Sequence, residues 1–290
     1  MGAPRTELAP AKINLCLYLG PTRPDGRHEL VSIMQSLTLA DRLTLRDRDP
    51  ATGDPPDEVR CPGVEGPNLC AAALAAFRRA TGWDGPGQLL EIEKHVPVAA
   101  GMGGGSGDAA ATLRLIFARA GIADLELELE LAAGLGADVP GQLRPGRVLA
   151  RGAGERVVRL PDPDPFGVLV LPSRAGLSTA AVYAEADRLG LGRDAGELAA
   201  VDPLGRPEYV NDLEPAARSL APSIDPALEL ARRLGAHTAM VSGSGPTVIG
   251  LFATPAGARE AARALAGRDP APLAAFPFPG GVRHNRAGES

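Results

Sequence analysis

The apolar positions change period along the chain, and each change predicts an element. Leu8 to Leu19 alternates, with Ile13, Leu15, Leu17 and Leu19 on one face and Lys12, Asn14, Cys16 and Tyr18 on the other. That is a strand, and it makes Lys12 and Asn14 neighbours on a polar patch. Gly20 to His28, punctuated by Pro21, Pro24, Asp25 and Gly26, predicts a tight loop. Strand character resumes from Leu30 to Leu39 and from Arg42 to Leu45, around a turn at Ala40–Asp41. Asp47 to Gly66 is polar and rich in Pro and Gly, a surface excursion. The period then becomes helical: Leu69, Ala73, Ala76 and Ala80 follow a cap at Asn68 and stop at Gly82. Gln88 to Val96 alternates again and leads through a glycine run to a helix over Ala109–Ala120. Asp124 to Leu131 repeats every two residues, yet Leu and Glu are helix formers, so it reads as helix. Gly136 to Pro140 ends it, and Val148 to Leu160 reads as a hairpin around Gly152–Glu155.

The alternating prolines of Pro161 to Pro165 are stiff and cannot pair in a sheet, which sets a boundary between domains at 1–160 and 161–290. Beyond it, Gly167 to Leu171 is a strand, and Ser178–Thr179 caps a helix running to about Arg188. Gly190 to Arg206 reads as loop and Asp225 to Leu234 as helix. Thr238–Val241 and Val248–Phe252 are strands around Ser242–Pro246, and Thr254–Pro255 opens another helix. Pro270 to Ser290 carries few structural signals, and its end reads as frayed. The mixture predicts an α+β chain of two domains.

The glycine run is the first stretch with chemistry in it. Gly101, Gly103, Gly104, Gly105 and Gly107 lie between a strand and an alanine-rich helix, where backbone N–H groups and a helix N-terminus form a phosphate cradle. No lysine follows these glycines as a P-loop requires, and Ser106 or Asp108 stands where a dinucleotide fingerprint needs its third glycine. A flexible linker is the plainer reading, but its glycines would be spread among Ser and Pro.

Composition narrows the partners. A chain of 290 residues with 44% hydrophobic positions fills more than one core, and a net charge of -5 gives no basic field for nucleic acid or an anionic membrane. Cys16, Cys61 and Cys70 have no metal-ligand spacing and read as free, buried thiols. The first residues lack the order of a secretory signal, so the expected place is the cytoplasm. Of 30 basic residues only Lys12 and Lys94 are lysine. Where arginine serves everywhere else, a retained ammonium suggests a point charge for a phosphate or hydroxyl, a chance surface survivor being the alternative for Lys94.

Three motifs together resemble the GHMP kinases over nearly the whole chain: APAKINLCLYLGPTRPDGRHEL at Ala9–Leu30, PVAAGMGGGSGDAA at Pro97–Ala110 and VSGSGPTVIGLF at Val241–Phe252. GADVP at Gly136–Pro140 and VNDLE at Val210–Glu214 support them. The resemblance implies a first domain like the second domain of ribosomal protein S5, a ferredoxin-like second domain and an active site between them. The Ala-Lys-Ile-Asn-Leu run with Asp25, Gly26 and His28 resembles the branch that phosphorylates the 2-hydroxyl of 4-diphosphocytidyl-2-C-methyl-D-erythritol with ATP and Mg²⁺, and no obligate protein partner is implied. Kinases of mevalonate, homoserine or a sugar, and a non-catalytic nucleotide-binding protein, are the rival readings.

By resemblance Asp138 takes the hydroxyl proton, with helix capping as its other reading, and Lys12 offsets charge between the hydroxyl and the γ-phosphate. Asn14 touches substrate or merely faces solvent. His28 reads cytosine, and Tyr183 stacks on it or is a core aromatic. Asn68 and Leu69 contact adenine, with capping an equal account of Asn68. Lys94, Pro97, the five glycines and Ser106 belong to the ATP site, and Ser244 to a turn against it. The metal ligands stay unassigned, as do roles for His95 and His237. Two positions depart from the family pattern: Arg27 replaces a usual tyrosine, and Gly107 a common second serine.

Overall fold

The computed structural model describes residues 2–48, 57–64, 66–98, 100–174, 176–204 and 209–280. Parts of the Asp47–Gly66 excursion, the end of the Gly190–Arg206 stretch and the last ten residues of the tail lie outside them.

Two long strands organise the first half. β1 (Arg5–Thr22) and β2 (His28–Asp47) pair antiparallel, with register shifts at Pro10/Lys12, Asn14/Cys16 and Leu19/Thr22. The 20 residues of β2 give its other edge room for two partners. Leu30–Gln35 pairs with β5 (Arg147–Gly152) and Arg42–Asp47 with β4 (Gln88–Glu93). β3 (Glu58–Arg60) adds parallel to β4, and β6 (Arg156–Arg159) antiparallel to β5. Leu43, Leu45 and Leu90 of this sheet share a core with α1 (Leu69–Thr81), α2 (Gly104–Ala120) and α3 (Leu125–Leu135). One turn, α4 (Val139–Gln142), follows α3.

Beyond β6 a second sheet forms from β7 (Gly167–Leu171), β8 (Thr238–Val241), β9 (Val248–Phe252) and β10 (Leu273–Ala275), antiparallel in the order β10-β7-β9-β8. α5 (Thr179–Leu189), α6 (Ala195–Ala200), α7 (Glu214–Leu220), α8 (Ile224–Arg233) and α9 (Pro255–Ala264) complete this half. One face of the sheet meets α5, α7, α8 and α9. The other meets the first sheet: Val168, Val170, Ile249 and Leu251 join Ile13, Ile33 and Leu37 in one buried cluster. Both faces of β7 and β9 are therefore buried, which is why their sequences are unbroken apolar runs. The chain is α+β, as its mixed pattern predicts.

The structure corrects several expectations. β2 runs straight through Ala40–Asp41, because the buried Asp41 carboxylate accepts from the N–H groups of His95 (2.5 Å) and Val96 (2.8 Å) instead of opening a turn. α2 starts at Gly104, five residues before the expected Ala109. Gly190–Arg206 is not all loop: Asp194 and Glu197 form a capping box that opens α6. α7, with Pro215 in its first turn, and the short β3 and β10 also lie where no element is expected. Short pairings of this kind depend on a partner strand more than on a pattern of their own.

Candidate active site

The Lys12 ammonium is the centre of a fixed hydrogen-bond chain. Ser32 Oγ donates to Cys16 O (2.6 Å) and accepts from Asn14 Nδ2 (2.7 Å). That leaves Asn14 Oδ1 to accept from Lys12 Nζ at 2.8 Å. Lys12 Nζ also lies 3.2 Å from Asp138 Oδ2, with the lysine buried and the aspartate side chain 38% exposed. The strand alternation does bring Lys12 and Asn14 together, but the Asn14 amide is spent on Ser32 and the lysine. Ser32 has no signal in the sequence, since its meeting with Asn14 depends on the register shifts between β1 and β2.

Asp138 occupies the N-cap position of α4 yet makes no capping bond. Its carboxylate faces Lys12 and lines the cleft instead.

The glycine run is tightly enclosed. Gly101 has φ +69°, and a Cβ there would stand 2.5 Å from Ser242 O and 2.9 Å from Gly245 O. The third motif therefore sits on the second, and Ser242 Oγ donates to Gly101 O (3.3 Å). Gly103 has φ +65° and touches the Lys12 stem, which would lie 2.9 Å from a Cβ. Helix bonding begins with Gly107 N–H to Gly103 O (2.8 Å), so the N–H groups of Gly104, Gly105 and Ser106 precede the helix ladder. With the positive end of the α2 dipole they make an anion site one residue from Lys12's contact. At Gly107 a Cβ would meet Gln142 Oε1 at 2.9 Å and Pro10 O at 3.1 Å, which accounts for glycine where serine is common.

Lys94 borders the same loop, but its ammonium is held by Asp41 Oδ2 (2.5 Å) and Asp108 Oδ2 (2.8 Å). Burial pushes the Asp108 carboxyl up to about 7 despite Lys94, with Asp41 adding to the rise. Asp108 Oδ1 is buried without a hydrogen bond. Neither carboxylate is visible as a site residue in the sequence, because the three groups come from β2, the end of β4 and α2.

These groups line a cleft of about 970 Å³ that is bordered by β1, β2, the start of α2 and α5. Cys61, Pro67, Asn68 and Leu69 border it, as does Pro97 beside the glycine run. Asn68 Oδ1 accepts from Cys70 N–H (2.8 Å), so it caps α1 while lining the cleft. His28, Arg27, Tyr183 and Asp187 also line it. The His28 and Tyr183 rings lie 5.3 Å apart at 38°. Burial, with the Asp138 charge adding to it, pushes the Tyr183 phenol up to about 12, so it stays neutral. Arg27 is half exposed and tied to Asp25 Oδ2 by Nη2 (3.0 Å) and Nε (3.2 Å). Ser244 Oγ bonds Thr179 Oγ1 (3.0 Å) at the start of α5. His95 meets Asp41 through its backbone, and the His237 ring lies against Tyr209. Cys16 and Cys70 are buried free thiols raised by desolvation to about 11 and about 12, and Cys61 is half-buried.

Residues 68–145 match the GHMP kinases N terminal domain, and residues 183–270 the GHMP kinases C terminal. The 4-diphosphocytidyl-2-C-methyl-D-erythritol kinase of Anaeromyxobacter sp. (strain K) is 41% identical over 274 residues, 90% of this chain and 85% of that one. Its counterpart from Streptomyces avermitilis is 39% identical over 90% and 92% of the two chains. A crystal structure of 4-(cytidine 5'-diphospho)-2C-methyl-D-erythritol kinase superposes with a TM-score of 0.77 at 34% identity, covering 94% of this chain and all of that one. Family models over residues 68–145 and 183–270, and relatives 41% and 39% identical over 90% of the chain, place this protein in the GHMP kinase family, among the 4-diphosphocytidyl-2-C-methyl-D-erythritol kinases.

Proposed function

We propose that the chain transfers the γ-phosphoryl group of ATP to the 2-hydroxyl of 4-diphosphocytidyl-2-C-methyl-D-erythritol, a step in isoprenoid precursor synthesis by the non-mevalonate route. The observation that carries this reading is Lys12 Nζ, held by Asn14 and 3.2 Å from Asp138, beside the N-terminus of α2. Phosphoryl transfer needs positioning, charge stabilisation and a group that receives the hydroxyl proton. The N–H groups of Gly104, Gly105 and Ser106 hold the phosphates, and Gly101, Gly103 and Gly107 let the backbone close around them. Lys12 offsets charge on the transferring group, and Asp138 receives the proton as the hydroxyl oxygen attacks phosphorus and ADP leaves. Asn14 orients Lys12.

Asn68 and Leu69 seat the adenine, with Pro97 and Lys94 along the same wall. His28 and Tyr183 hold the cytosine at the other end. Magnesium enters as the counter-ion of ATP, and among the described residues no group of three or more His, Cys, Asp or Glu is placed to hold a metal ion. No helix among those residues is long and apolar enough to cross a membrane. The two halves that supply the site are divided at Leu160–Pro161.

ADP release with the cytidylyl substrate, beside mevalonate, homoserine and galactose, tests the reading. Turnover of the first alone, lowered at least about a hundredfold in Asp138→Asn with ATP still bound, is the expected result. Undiminished turnover in the variant would remove Asp138 from the mechanism, and turnover of another alcohol would remove the acceptor.

A further inference from the structure

Lys12 and Asp138 belong to segments far apart in the chain, so their 3.2 Å approach depends on what holds those segments together. Lys12 lies in β1, and its backbone N–H donates to Met102 O (2.9 Å). Asp138 has less support: it precedes the single turn α4 and makes no capping bond. One side chain that is not part of the cleft wall reaches both segments. Arg114, on α2 and 12% exposed, donates from Nη2 to Leu8 O (2.8 Å) and from Nη1 to Gln142 O (3.0 Å), with a longer bond to Leu143 O (3.5 Å). Leu8 stands four residues before Lys12 on β1, and Gln142 four residues after Asp138 at the end of α4. Glu7 Oε2 lies 3.4 Å from both Nε and Nη2 and offsets the charge.

A guanidinium is a planar fork whose donors point in fixed directions, so bonds from two of its nitrogens fix the spacing of two acceptors. An ammonium on a flexible stem does not. Packing alone would be served by an apolar residue beside Leu113 and Leu115, without the desolvation of a charge. We propose that Arg114 is a positioning residue: by holding Leu8 O on β1 and Gln142 O on α4 together, it sets the separation of Lys12 and Asp138. The inference rests on the proposed reaction and adds the support of its reacting pair. It bears on transfer more than on binding, because misplacing a reacting group by about 1 Å can cost about a hundredfold in rate. Neither carbonyl belongs to a residue assigned to either nucleotide base.

The test is steady-state phosphorylation of the cytidylyl acceptor, with thermal unfolding alongside, for wild type, Arg114→Met, Arg114→Lys and a control, Arg119→Met. Arg119 lies on the same helix but bonds Ala3 O (3.0 Å) and Asp47, not β1 or α4. Arg114→Met, assayed well below its Tm, should lose at least about tenfold in kcat with both KM values within about twofold of wild type. Arg114→Lys keeps the charge but reaches one carbonyl at a time, so it should regain Tm more fully than kcat, and it carries the test where Arg114→Met does not fold. Arg119→Met should lose Tm with kcat unchanged. Wild-type kcat in the Arg114 variants, with Asp138→Asn still inactive, overturns the inference and leaves the proposed function standing. A kcat that falls in step with Tm across all three variants also overturns it, since stability alone then accounts for the loss. No transfer by wild type overturns the function, and the inference with it.

Discussion

Asp108 is held where a carboxylate is costly. It is 4% exposed, one oxygen is unpaired, and burial has lifted its titration to about 7 from the ordinary 3.8. Between those values the folded chain keeps a proton that the unfolded chain gives up, so stability falls as pH rises through that window and levels off above it. Asp108→Asn cannot ionise. Its Tm should vary less than wild type between pH 4 and pH 7, gaining on wild type through that window and keeping the gain above it, measured by thermal unfolding from pH 4 to pH 9. A wild-type Tm that climbs from pH 5 to pH 7, with the same climb in the variant, contradicts the assignment. Of the residues that make the site, Lys12 stood out in the sequence because lysine is rare here, whereas Asp41 and Asp108 are two acids among 35 Asp and Glu and carry no local mark.

At the scale of elements, the start of α2 decides the site. The sequence places glycines before a helix, and the structure makes four of the motif residues the first turn of that helix. The difference matters, because an N-terminal turn directs its free N–H groups along one axis while a loop does not. Gly107 shows how tightly the turn is packed: Gln142 Oε1 and Pro10 O occupy the room a side chain needs. Gly107→Ser should therefore displace Gln142, whose Nε2 donates to Gly103 O (3.2 Å), and raise the KM of ATP severalfold. Gly107→Ser with Gln142→Ala opens that space and should recover part of the loss. Equal ATP KM values for Gly107→Ser and wild type would show that the crowding has no functional weight.

The whole molecule supplies what neither half holds. The second sheet presses against the first through Val168, Val170, Ile249 and Leu251, and this shared core sets the Ser242–Gly245 turn on Gly101. Asn211 fixes the turn from behind: its Nδ2 donates to Val241 O (2.9 Å) and Gly243 O (2.7 Å), and its Oδ1 accepts from Leu213 N–H (3.0 Å). A Cβ on Gly243 would stand 3.5 Å from Lys12 Nζ and 3.4 Å from Asn14 Oδ1, so the turn forms one wall around the Lys12 ammonium. Asn211→Ala leaves two buried carbonyls without donors and should cost about 1–3 kcal/mol of stability, read by denaturant unfolding. It should also lower kcat more than it raises either KM, since the turn touches Lys12 and neither base. A variant with wild-type stability and kcat would deny the turn that role.

The sequence by itself determined most of the local elements and the candidates for the reacting groups. Period, caps and glycine placement are properties of neighbouring residues, so they gave β1, most helices and the glycine run before α2, while Lys12 stood out by the rarity of lysine and Asp138 by resemblance alone. Tertiary structure alone decided which carboxylates face which cations, that Asn14 serves Lys12, that Gly107 is sterically required and that Arg114 links β1 to α4. Those facts arise where β1 and β2 slip in register and where α2 meets β1 and α4. Contacts between residues far apart in the chain have no period to read, and the fold must bring them together before their chemistry exists.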